Sequence, residues 1–378
     1  GTTALATAGL IAGVAGNAAA AERIKVGVHG YHQQWLTVVD QDYDDKSGDP
    51  TKSTNLVDQK HNSEICFVGE TTLDNGLTFG VNVQLEGNHT NSDMIDESYM
   101  YVQSDSLGKL ILGDENNAGY LLHVTAPNGG VSIDSGDMIN NSFWVNPGLN
   151  LYDSAVGTTN LRFGDNDSGK ITYISPRFAG VQLGVSYIPQ FEAGGDSNSS
   201  LKLGGRSTNQ NDGWAGGVNW TEDFNGFGVK LSGGAMMAQN GADNVTGNDD
   251  DLFAYNFGAQ FSYAGFAFGG AYSRGDGGGG GTAGARANSR AYTVGANYSV
   301  GPYVIGIGYM RGEQNRFSDV SGKGRLDQGN ISGTYQLGPG IRLVGGIFAF
   351  DADGEGNGDA GGEENDGLGG TVAFKLGF

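Results

Sequence analysis

The chain of 378 residues contains one cysteine, Cys66, which excludes an intrachain disulfide. Cys66 sits in an alternating run and reads as a small wall residue. Basic residues are scarce: 21 Lys and Arg stand against 42 Asp and Glu, a formal net charge of −21. That balance argues against a nucleic-acid partner, since such binding runs on counterion release by Lys and Arg. It favours surfaces that attract cations. Hydrophobic residues make up only 38% of the chain, and no apolar run reaches the roughly 20 residues that a membrane-spanning helix needs. The five histidines, His29, His32, His61, His89 and His123, show no metal-ligand spacing. Ser and His form no nucleophile motif. The chain reads as a non-enzyme, with a barrel hydrolase as the alternative that spacing alone does not test.

What is present is a repeated alternation. In Phe253–Tyr263 the residues Phe253, Tyr255, Phe257, Ala259, Phe261 and Tyr263 share one parity, and Ala254, Asn256, Gly258, Gln260 and Ser262 the other. Successive side chains of a strand point to opposite faces, so this strand is apolar on one side and polar on the other. The pattern recurs over sixteen expected strands with no helix to share the burial. Without spanning helices, the chain can satisfy its backbone in lipid only as a closed barrel. The first two strands are expected near 23–39 and 62–73, the last three near 326–337, 340–350 and 367–378. Polar inner residues such as Thr78, Gly80, Asn82 and Gln84, or Asn330, Ser332 and Thr334, imply a water-filled lumen. Sixteen strands leave room for one. The remaining alternative is a soluble all-β protein.

The connections sort by strand parity. After even-numbered strands they are tight, as at Asp74-Asn-Gly76, Asp223-Phe-Asn-Gly226 and Ala264-Gly265. After most odd-numbered strands they are long, acidic and rich in Gly, the longest covering about 116–168. That asymmetry is the one shown by outer-membrane barrels, and an even strand number puts both termini on the same, periplasmic side. Residues 1–20 read as the remainder of a secretory signal whose start is missing, with cleavage near Ala20 or Ala21. Residues 21–378 are then a single barrel domain.

Gly169–Tyr187, with its Tyr-Ile-Ser-Pro-Arg-Phe-Ala-Gly core, resembles a strand–turn–strand of the general porins of Gram-negative bacteria, in particular their alphaproteobacterial branch. Lys25–Tyr31, Leu107–Gly113 and the terminal Val372–Phe378 are similar to other strands of that family. The resemblance covers the mature chain. It implies an all-β, transmembrane, 16-stranded antiparallel up-and-down barrel whose third external loop folds inward. It further implies a homotrimer in the outer membrane, contact with lipopolysaccharide and lipid, and Phe378 as the residue read by the outer-membrane assembly machinery. The implied activity is passive diffusion of small hydrophilic solutes through a water-filled channel. A substrate-selective porin for sugars, amino acids or organic cations, and a non-conducting structural or adhesive barrel, are the alternative readings.

The family's constriction motifs transfer poorly. Where many general porins place an Arg after the fifth strand, this chain has Asp114 and Glu115. Rings of acids select cations, so a cation-preferring constriction is expected from Asp114, Glu115, Asp134 and Asp137. Arg162 is the single base between Asp114 and Asp167, and Lys230, Arg342 and Lys375, of inward parity, form the candidate basic wall. No cofactor is expected, apart from weak Ca²⁺ or Mg²⁺ binding at Asp351, Asp353 and Glu355. These occupy the first, third and fifth positions of a calcium-loop-like segment, and the reading opposed to it is a solvated acidic loop.

Overall fold

A computed structural model describes residues 23–44, 54–87, 94–152, 154–166, 168–191, 210–239, 251–276, 288–315, 323–354 and 363–378. Residues 1–20, expected to be a secretory signal, and Glu355 lie outside the described residues. Sixteen strands form one closed barrel in which each strand pairs antiparallel with its sequence neighbours and β1 (Lys25–Asp44) pairs with β16 (Glu364–Gly377). The seam ends where Gly30 and Phe378 exchange backbone hydrogen bonds of 2.9 and 3.0 Å. Among the described residues no helix is long and apolar enough to cross a membrane.

Side-chain parity sets the two faces. On β10 (Leu252–Tyr263), Phe253 and Phe257 are 48% and 57% exposed, whereas Ala254 and Asn256 are fully buried. The same division holds on β12 (Ser289–Val300), β13 (Tyr303–Asn315) and β14 (Lys323–Gly338), where Val294, Ile305, Ile307 and Ile331 are exposed and Thr293, Met310 and Asn330 are buried. A continuous exposed apolar exterior of this kind is the lipid-facing band of a transmembrane barrel. Tyr303 and Tyr335 stack outward next to the tight turns, 4.9 Å between ring centroids.

The tight turns carry the expected chemistry. Ala264 and Gly265 both have positive φ, 50° and 86°, between β10 and β11 (Phe266–Asp276). Two residues of positive φ match the twist of the flanking strands. At the opposite end several strands run further than the apolar alternation suggests. β1 continues to Asp44, β2 (Val57–Thr72) starts at Val57, β14 starts at Lys323, β15 (Ile341–Asp353) ends at Asp353 and β16 starts at Glu364. There both faces are polar, so periodicity fades while the backbone ladder continues above the apolar band.

The connection between β5 (Gly108–Asp114) and β6 (Gly169–Ile174) holds two single-turn helices, α1 (Ala118–Leu121) and α2 (Asp137–Asn140). It packs against the buried face of the sheet, opposite the exposed apolar one. Inward side chains donate to its carbonyls: Asn297 to Asn128 (2.7 Å), Thr334 to Gly129 (2.8 Å) and Asn330 to Val131 (3.0 Å). An expectation fails here, because the inner face is not polar throughout. Trp35, Met236, Met310, Phe348 and Phe350 are inward and buried against Met138, Ile139, Phe143, Trp144 and Leu161 of the connection. Trp35 and Phe143 meet edge-on at 5.0 Å, and Trp144 stacks on Phe350 at 4.9 Å. Where both faces of a strand are covered, alternation no longer marks which is which.

An Arg substituted for Phe257, midway along the outward face of β10, is expected to cost about 2–4 kcal/mol as at a bilayer midplane. Urea unfolding of the protein in lipid vesicles measures it, and a neutral result would contradict the lipid-facing assignment.

Candidate functional site

Two cavities lie along the wall formed by β2 (Val57–Thr72), β3 (Thr78–Glu86), β4 (Ile95–Ser104) and β5, where the β5–β6 connection leaves the sheet uncovered. One, of about 1330 Å³, opens at the tight-turn end and is lined by Thr78, Gln103, Lys109, Glu115 and Leu121 among others. The other, of about 520 Å³, has Glu64, Glu86, Asp96 and Glu97 on the wall, facing Tyr120, Tyr152 and Arg162 of the connection. Carboxylate oxygens of Glu64, Glu86 and Asp96 come within 4.8 Å of one another. Tyr31 donates its hydroxyl to Glu64. Glu97, nearly buried, accepts from Gln84 and, at 2.9 Å, from Asn116. Arg162 lies over the Tyr152 ring, 5.6 Å from its centroid. The arrangement concentrates negative charge on one side of the cavity and leaves one cation opposite.

The connection is held in place at three points. At its base Asn117 caps α1, its Oδ1 accepting from the Tyr120 amide at 3.0 Å. The same side chain donates to Leu161 O at 2.7 Å and Asp165 Oδ2 at 2.8 Å, joining the two ends of the segment. Buried Lys170 donates to the Asp165 and Ser168 carbonyls and lies 3.7 Å from Asp165 Oδ2. In the middle, Lys375 of β16 pairs with both oxygens of Asp137 at 2.8 Å and sits 4.8 Å over the Trp35 ring. The third point is a chain of hydrogen bonds through Asp134, Thr159, His123 and Ser232. Asp134 accepts from the Thr159 hydroxyl and, at 2.8 Å, from the Thr159 amide. His123 contacts Thr159 Oγ1 at 3.0 Å and Ser232 Oγ at 3.3 Å. Burial pushes the Asp134 carboxyl up, against the lowering effect of the Thr159 bonds. Burial also pulls the His123 imidazole down to about 4.

Glycines on the wall make the close packing of this segment feasible. A Cβ at Gly258 would lie 1.8 Å from Val124 O, and one at Gly312 would lie 1.9 Å from Val156 O. Backbone meets backbone at these points, and no flexible side chain can yield.

Of the acids expected at the constriction, Asp134 and Asp137 instead hold the connection together. Asp137 also accepts from the Ser132 amide and hydroxyl. Their burial and saturation with donors is the physical reason that they present no charge to a pore. Asp114 ends β5 opposite Ser98 and Gly169 and does not line the 520 Å³ cavity. Glu115 is buried, with its carboxylate turned back to Asn116, and borders the larger cavity. Arg162 does line the smaller one. Lys230 and Arg342 are exposed, on β9 (Phe227–Gln239) and β15, and line neither cavity. Asp351 and Asp353 continue strand β15, where Asp351 pairs with Arg325 at 2.7 Å. The acids missed in the sequence were Glu64, Glu86, Asp96 and Glu97. Glu64 and Glu86 carry the inward parity set by exposed Ile65 and Phe67 and by Leu85, a signal that was available in the alternation.

A sixteen-stranded barrel with an apolar exterior, and with charged cavities inside, defines a transmembrane β-barrel of the channel type. A family model described as Gram-negative porin matches residues 1–376, and the chain belongs to that family. Among solved structures it is similar to an anion-selective porin from Comamonas acidovorans, with a TM-score of 0.60 and 15% identity over 94% of this chain and 100% of the other. It is also similar to a triple mutant of the Rhodopseudomonas blastica porin, with a TM-score of 0.54 and 15% identity over the same shares. Identities this low show the shared fold. No curated protein sequence matches the chain.

Replacing Asp165 with Ala leaves Lys170 without its carboxylate. Removing one partner of a buried pair costs about 3–5 kcal/mol, read as a lower unfolding midpoint together with faster hydrogen exchange at residues 116–166. His123 has a pH signature. Its folded pKa lies below the unfolded value of 6.5, so the unfolded state binds more protons, and stability is lost as pH falls from 6.5 towards about 4. Asp134, with a raised pKa, acts in the opposite sense, gaining stability as pH falls. Hydrogen exchange of the segment in His123→Gln should lose the acid weakening seen in the parent protein.

Proposed function

We propose that the chain is a general diffusion channel of the outer membrane that prefers cations, and that the two cavities are successive parts of one water-filled path. The observation that carries this reading is the asymmetric 520 Å³ cavity, with four carboxylates on the wall and a single Arg opposite. Carboxylates lining a narrow wet passage raise the local cation concentration and repel anions. The path runs between the β2–β5 wall and the β5–β6 connection, which acts as the inward-folded third loop narrowing the pore. The inward wall from β7 (Val181–Gln190) round to β16 is occupied by that connection, so solutes pass on the acidic side. The long loops face the exterior and both termini the periplasm, as the loop asymmetry of such barrels suggests. The working assembly is a homotrimer, as the family resemblance implies.

The test is the reversal potential of single channels in planar bilayers under a KCl gradient. The parent protein should favour K⁺, and the double variant Glu64→Gln/Asp96→Asn should lower the cation-to-anion permeability ratio several-fold while leaving an open channel. Anion preference in the parent protein would overturn the selectivity, and absence of conductance would favour the structural-barrel alternative.

A further inference from the structure

The inward face of β4 runs from one cavity to the other. Glu97 lines the 520 Å³ cavity and Gln103 the 1330 Å³ one, and Tyr99 and Tyr101, of the same parity, occupy the wall between them. The connection crosses at the same level. Glu115 borders the larger cavity, and the next residue, Asn116, lines the smaller one and donates to Glu97 at 2.9 Å. Tyr99, Tyr101, Glu115 and Asn116 mark the neck between the two spaces.

Lys109 reaches into this neck. It is the direct partner of Gln103 across β4 and β5, and it lines the larger cavity. Its ammonium lies 4.3 Å from the centroid of the Tyr101 ring and 5.8 Å from that of Tyr99, so the side chain runs along the wall towards the smaller cavity. Aromatic faces attract cations in this position. The Tyr101 ring is itself fixed. Its hydroxyl donates to Glu70 Oε2 at 2.8 Å, and the ring lies over Gly80, where a Cβ would come within 2.0 Å of it.

The charge of Lys109 is handled differently from that of other inward bases. Buried Lys170 and Lys375 are paired with Asp165 and Asp137. Lys109 rests on ring faces, with no ion pair among the described residues, and Glu70 and Glu115 act on it from further off. A tyrosine face holds an ammonium without cancelling its charge, which stays turned to the passage.

We propose that Lys109 is a specificity-determining residue of the neck, the charge that limits the channel's preference for cations. This rests on the channel reading given above. A cation leaving the four carboxylates passes a like charge within a few ångströms, and an anion arriving from the tight-turn end meets an opposite one. In a wet passage, with a dielectric near that of water, one charge at such range changes ion populations by about two- to fivefold. Salt weakens the effect, since the Debye length falls from about 10 Å at 0.1 M to about 3 Å at 1 M.

The test is the reversal potential of the full chain in planar bilayers, for the parent protein, Lys109→Met and Lys109→Arg, in KCl gradients centred near 0.1 M and near 1 M. Lys109→Met keeps the length of the side chain and removes its charge. Its cation-to-anion permeability ratio should exceed the parent's by about twofold or more in the dilute salt, and approach it in the concentrated salt. Lys109→Arg should stay at the parent's ratio. An unchanged ratio in Lys109→Met overturns the proposal. So does an equal change in Lys109→Arg, which would trace the effect to lost packing on the tyrosines. If the parent prefers anions, the cation preference proposed above falls, while a shift of Lys109→Met towards cations still supports the role of Lys109. Absence of current in the parent overturns both.

Discussion

The requirement that every backbone N–H and C=O crossing hydrocarbon be paired within the protein governs this molecule. The β1–β16 seam meets it. Without the pairing that runs from Tyr31–Gly377 to Asp44–Glu364, two strand edges would face lipid unpaired. Closure in turn makes each strand a boundary with one apolar and one inward face, and it sets the even, antiparallel order in which tight turns and long loops take opposite ends.

The interior follows from closure. A ring of sixteen strands is too wide for side chains alone to fill, and the β5–β6 connection takes up much of the space. It binds to the wall through inward Asn, Ser and Thr side chains that serve its backbone groups, through an apolar cluster around Trp35, Phe143 and Phe348, and through the buried Lys375–Asp137 and Lys170–Asp165 pairs. The abundance of glycine, 69 residues, has part of its explanation here, since Gly258 and Gly312 give way to the connection's carbonyls. What the connection leaves uncovered is the acidic wall of β2–β4, which lines the 520 Å³ cavity.

Much of this was legible in the alternation. Sixteen strands, the sorting of turns and loops, and the apolar exterior all come from a period of two and from turn residues such as Ala264-Gly265. Strand ends towards the long loops were placed short, because Asp42, Asp44, Asp351 and Glu364 break the apolar alternation without breaking the ladder. The site was less legible. Acids in the longest loop drew the expectation, yet Asp134 and Asp137 are consumed by contacts between residues far apart in sequence. Glu64 and Glu86, on ordinary strands, face the cavity. No local pattern separates a carboxylate that meets Lys375 from one that meets water.

By itself the sequence determined a closed barrel and its two faces, because parity along a strand is a local property that every residue reports. Only the tertiary structure decided which inward residues are covered, which are left open, and which acids face the cavity. Those outcomes depend on where a connection of more than fifty residues, 115–168, lies against the inner wall of the barrel, and its placement is set by long-range contacts that no spacing in the chain records.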